Sequence, residues 1–154
     1  MSGAPAHTIV DGVPQEDYIP FRALTRSGAA RLRETMKETP NALDDRQNLA
    51  PSLGCLLDAC EKAEGRMVLS GYGIGPQRDD ERVTVDALWV ADPDLLDLNV
   101  TREHDSDCQC RMMWRMIRER YGLDTEAMPD EILRCVRPGR AEGDADMGWW
   151  LWWD

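Results

Sequence analysis

The side chains with the widest chemical range in this chain are two histidines and five cysteines. His104, Cys108, Cys110 and Cys135 are the set with metal-ligand character, since zinc takes four nitrogen or sulfur donors in a tetrahedron. The spacing argues against it. His104 and Cys108 are four apart and would share a helix face. Cys108 and Cys110 are two apart, and a helix turns such a pair about 160° away from each other. They would chelate together only if the helix began after them. The usual Cys-x-x-Cys spacing is absent, and Cys55 and Cys60 stand five apart. The expectation is buried free thiols packed as small hydrophobes, with no metal and no cofactor.

Nucleophilic chemistry is no better served. A His104–Cys108 pair lies in no recognisable local motif, and His7 sits in an irregular N-terminal stretch. Gly71, Gly73 and Gly75 follow an apolar run as a phosphate loop would, but Pro76, a polar run and a second apolar run come next. A phosphate loop must open a helix, so these glycines read as turns and bulges of a hairpin. Asp79, Asp80 and Glu81 are consecutive carboxylates at the expected hairpin tip, where such runs are commonly solvated. No catalytic residue is assigned, and the chain is read as a non-enzyme.

Four of the six tryptophans fall in the last five-residue apolar patch, residues 149–153. On a strand, Trp149, Leu151 and Trp153 face one way and Trp150 and Trp152 the other. One reading is a C-terminal strand buried on both faces and paired with the hairpin. The other is a protein-binding anchor, because Trp removes a large apolar area from water at small entropy cost. The candidate partner-binding residues are accordingly Trp149, Trp150, Trp152 and Trp153, together with the acidic side chains Asp79, Asp80, Glu81 and Asp94.

Leu96, Asp97 and Leu98, within residues 95–100, carry a short motif. It resembles the peptides by which bacterial proteins dock into the DNA sliding clamp, which run Gln-Leu-Asp/Ser-Leu followed by an apolar residue. Leu95 replaces the leading Gln, and the resemblance covers six of 154 residues. It implies Leu96 and Leu98 as docking residues.

These candidates rest on elements that the patterning predicts. Phe21, Leu24, Gly28, Leu32 and Met36 recur at helical spacing, with Pro40 as a stop, which predicts a helix over about 21–38. Leu53, Leu56, Leu57 and Cys60 predict a second helix from about 52 to 63, ended by Gly65. Residues 66–72 and 82–90 change to strand character and predict a long hairpin, the centre of an antiparallel sheet of three or more strands. Residues 105–121 predict a long helix. Cys110, Met113, Trp114, Ile117 and Tyr121 form its main apolar face, and Cys108, Met112 and Met116 a second. Residues 129–136 predict a short helix, and the first twenty residues read as irregular apart from a small hairpin around Asp11-Gly12. The sum is one α+β domain over residues 1–154, with three to four helices.

The chain has 154 residues, 42% of them hydrophobic, which is enough for one core. Its net charge of −11 argues against direct nucleic-acid or anionic-membrane binding. Residues 51–100 are the acidic part, with four basic and ten acidic side chains. No signal peptide or spanning helix is expected. Five cysteines, an odd number, predict reduced thiols and a cytoplasmic setting. The function expected is a small acidic protein-interaction module. It would bind and modulate, most simply inhibit, another protein that is basic or handles nucleic acid, by DNA mimicry or sliding-clamp docking. A small enzyme with a cryptic site and a structural metal-binding domain are the competing classes. The two-sided helix is also compatible with a homodimer.

Overall fold

The computed structural model describes residues 9–10, 13–14, 18–37, 40–74, 82–101, 105–139 and 146–154. In chain order the strands are β1 (Ile9–Val10), β2 (Val13–Pro14), β3 (Tyr18–Leu24), β4 (Met67–Ile74), β5 (Arg82–Val90), β6 (Glu131–Val136) and β7 (Met147–Trp152). The helices are α1 (Arg26–Thr35), α2 (Leu53–Lys62) and α3 (Cys110–Tyr121), with short 3-10 helices at Pro40–Asp44 and Pro93–Asp97.

The predicted hairpin forms the centre of the sheet. β4 and β5 pair antiparallel from Met67 opposite Val90 to Ile74 opposite Arg82, with one bulge between Ser70 and Gly71. At the bulge a Cβ on Gly71 would overlap the Thr84 carbonyl, so the strands approach closely only because Gly71 has no side chain. β3 adds to β4 and β7 adds to β5. β6 then pairs with β7, and the order is β3-β4-β5-β7-β6, antiparallel throughout. β1 and β2 pair separately, as the small hairpin read from the sequence requires.

The helices cover one face of this sheet. Their buried residues share a single cluster with Met67, Leu69, Leu88, Val90, Ile132, Trp149, Leu151 and Trp153. The alternating residues Val68, Ala87 and Trp89 are buried but stand outside that cluster, on the opposite face. α3 buries Cys110, Met113, Trp114, Ile117 and Tyr121, the face read from its spacing. Its second stripe is more open, with Met112 exposed. α3 ends at Gly122, which takes the left-handed conformation at φ 64, as helix-terminating glycines do.

Several elements differ from the sequence reading. The first helix is shorter than 21–38, because β3 runs through Leu24 and Thr25 caps α1, its hydroxyl accepting from Gly28 N–H, in the manner of an N-terminal cap. The third helix begins at Cys110. Residues before it turn locally, with Asp105 Oδ1 accepting the Asp107 N–H and Gln109 N–H bonding the Asn99 carbonyl. Such side-chain bonds compete with the helix ladder. The expected helix at 129–136 is strand β6. Ile132, Leu133 and Val136 have helical spacing, but the apolar β7 needs a partner strand, and that tertiary demand overrides local preference. The expected irregular N-terminus also gives way to strand from Tyr18 onward.

Candidate functional site

The C-terminal tryptophans divide as strand alternation requires. Trp149 and Trp153 are buried on the helix face, and their indole N–H groups bond the carbonyls of Leu95 (2.8 Å) and Ala127 (3.0 Å). Trp153 also meets Trp114 edge-on, with ring centroids 5.4 Å apart, a favoured geometry for aromatic pairs. These two are core. Trp150 and Trp152 point to the opposite face and are half-buried.

Trp150 lies directly across from Leu133, and Trp152 across from Glu131. Leu133 is 40% exposed, on a strand that ends the sheet. The Trp150 indole N–H makes no hydrogen bond among the described residues, while its backbone is held in the ladder. An edge strand also presents a row of backbone N–H and C=O groups to solvent. Leu133, Trp150 and Trp152 therefore form an apolar strip beside a sheet edge.

The strip has acidic neighbours. The Trp152 indole reaches Asp86 Oδ2 at 3.4 Å. Burial raises the Asp86 carboxyl above its ordinary range despite that hydrogen bond, because desolvation disfavours the charged form. Glu131 is exposed beside Trp152, and Asp130 Oδ2 accepts the Asp154 N–H at 2.7 Å. Four carboxylates thus border the Trp152 end, counting Asp154 itself. On the far side of the strip, the Arg137 guanidinium covers Trp89, 5.7 Å from its ring centroid, within cation–π range.

The remaining candidates are dispersed. Asp79, Asp80, Glu81 and His104 lie outside the described residues. Asp94 is held by Arg120, Nη1 to Oδ1 at 3.0 Å and Nη2 to Oδ2 at 2.7 Å. This two-pronged pair lowers the Asp94 pKa. Leu96 and Leu98 are half-buried against the core. Their segment is also pinned, since Trp149 bonds the Leu95 carbonyl and Arg134 Nη1 the Leu96 carbonyl at 3.2 Å. Docking into a clamp would require this segment to detach.

Two polar clusters went unread in the sequence. Asp92 is buried, and its carboxylate accepts from Arg66 Nε (2.8 Å), Arg120 Nη1 (2.8 Å) and Tyr121 Oη (2.6 Å). Burial opposes its charge, but these bonds outweigh burial and hold the carboxyl below its usual range, since hydrogen bonds to the charged form favour it. Burial and the Asp92 contact push Tyr121 up to about 12. The cluster ties the ends of β4, β5 and α3, and its buried, weakly basic carboxylate is unsuited to proton abstraction. The second is Asp124, which accepts from Ser52 N (2.8 Å) and Ser52 Oγ (2.5 Å) at the start of α2, with Arg46 beside it. It caps that helix from across the fold. Neither had a local signal, because the partners are 26 to 78 residues apart.

Among the described residues, no group of three or more His, Cys, Asp or Glu is placed to hold a metal ion. No helix among them is long and apolar enough to cross a membrane. No family model, curated protein or solved structure matches the chain significantly.

Proposed function

We propose that this chain is a non-enzymatic protein-binding module that docks its partner along the β6–β7 edge. The observation that supports this reading most is the Leu133–Trp150 pair, an apolar couple left open at the end of the sheet with an unspent indole N–H. An extended segment of the partner adds to β6 through main-chain hydrogen bonds, and its apolar side chains pack on Leu133 and Trp150. Glu131, Asp86, Asp130 and Asp154 favour basic side chains at the Trp152 end. The partner is therefore a basic protein, of the kind that handles nucleic acid, and occupation of its docking segment modulates it.

The expected DNA mimicry draws less support, because Asp94, one of the acidic candidates, is spent on Arg120. The test is affinity capture from a cell lysate read by quantitative mass spectrometry, with wild type beside Leu133→Asp and Trp150→Ala. The reading expects one stoichiometric partner, lost by both variants while their circular dichroism is unchanged. Equal capture by all three proteins contradicts it.

A further inference from the structure

We propose that Cys108 and Cys110 form a thiol–disulfide exchange site, which takes a low-molecular-weight disulfide and closes a reversible Cys108–Cys110 bridge. The pair takes no part in the docking surface. A Cys-x-Cys pair within a helix is splayed apart, but α3 begins at Cys110 and Cys108 lies before its cap. Gln109, between them, has φ −97 and ψ 23. That conformation sets Cα atoms two residues apart at about 5–6 Å, within the range a disulfide spans. The two thiols are close enough to act on one another.

The pair is also asymmetric. Cys108 is half-buried and within reach of a small reagent, and its sulfur accepts the Thr101 N–H at 3.3 Å. The same sulfur donates to the Thr101 carbonyl at 3.7 Å, so its access from solvent and its place before the N-terminus of α3 mark it out. Cys110 is only 7% exposed and stays protonated, because burial and the neighbouring Cys108 raise its pKa. Cys108 is thus the attacking sulfur and Cys110 the resolving one. Cys55 and Cys60 are kept inert by burial, which pushes each up to about 11.

The step balances without a metal. The Cys108 thiolate attacks one sulfur of the small disulfide, and the other leaves as a thiolate that takes up the proton Cys108 lost. Cys110 sulfur then attacks Cys108 sulfur, the bridge forms, and the second small thiol leaves with the Cys110 proton. Two protein thiols are oxidised and one small disulfide is reduced to two thiols.

The experiment equilibrates the native protein in mixtures of glutathione and glutathione disulfide. The sample is quenched with an alkylating reagent and digested with trypsin, and the peptides are weighed. Peptide 103–111 contains both sulfurs and no other cysteine. As the disulfide fraction rises, it should change from doubly alkylated to unalkylated and two hydrogens lighter, with excess dithiothreitol reversing the change. Cys110→Ser should trap one glutathione on Cys108, whereas Cys108→Ser should leave Cys110 without glutathione. The proposal is overturned if the peptide stays doubly alkylated throughout or ends with glutathione on both sulfurs. It is also overturned if Cys108→Ser acquires glutathione at Cys110 as fast as Cys110→Ser does at Cys108.

Discussion

Asp92 is the residue on which most of the polar organisation converges. A carboxylate in this position would be costly without partners, and Arg66, Arg120 and Tyr121 supply three. Asp92→Asn weakens all three bonds and should cost about 2 kcal/mol of stability by chemical denaturation. The sign of the pH dependence follows from the lowered pKa. The stabilisation is fully present above the ordinary aspartate range of about 4 and is lost as pH falls through the depressed folded value. The gap in stability between wild type and Asp92→Asn should therefore narrow below about pH 4. A gap that widens there contradicts the assignment. The tryptophans supply a second contrast. Trp153→Ala empties a fully buried site and should cost about 3–5 kcal/mol of stability. Trp150→Ala should cost about 1 kcal/mol of stability but about 2 kcal/mol or more of partner binding. Equal destabilisation by the two variants would make Trp150 core and remove the docking anchor.

Among the elements, β7 is the one through which the site is built. Gly148 starts its close approach to β5, where a Cβ would sit 2.5 Å from Trp89 Cε2 and 2.6 Å from the Val90 carbonyl. Gly148→Ala should destabilise the fold by about 1–3 kcal/mol. A melting curve superimposable on wild type would show that the strands can separate to accept the methyl. The alternation Trp149/Leu151/Trp153 against Trp150/Trp152 was legible in the sequence, as were the β4–β5 hairpin and the buried face of α3. In each case the pattern is local, with a period of two or of 3.6 residues. β6 was not legible. Its Ile132, Leu133 and Val136 fit a helix as well as a strand, and only pairing with β7 decides between them. That one ambiguity also concealed the candidate strip, because Leu133 becomes the neighbour of Trp150 only when β6 is a strand. The Asp92 cluster was hidden for a related reason, since its partners come from elements distant in sequence.

For the molecule as a whole, charge and shape act on different steps of binding. On the proposed reading, a net charge of −11 would accelerate encounter with a basic partner from a distance, and added salt would screen that attraction. The association rate should therefore fall as ionic strength rises from about 50 to about 500 mM, while Leu133→Asp and Trp150→Ala act mainly on dissociation. A salt-independent association rate would assign the charge to solubility alone. Whether the partner occupies the β6–β7 edge is decided by amide hydrogen exchange of this chain, free and saturated with its captured partner. New protection should concentrate in 131–136 and 147–152, with residues 93–100 unchanged. Protection centred on 93–100, or on the exposed face of α3 with the sheet edge unaltered, would contradict docking at that edge.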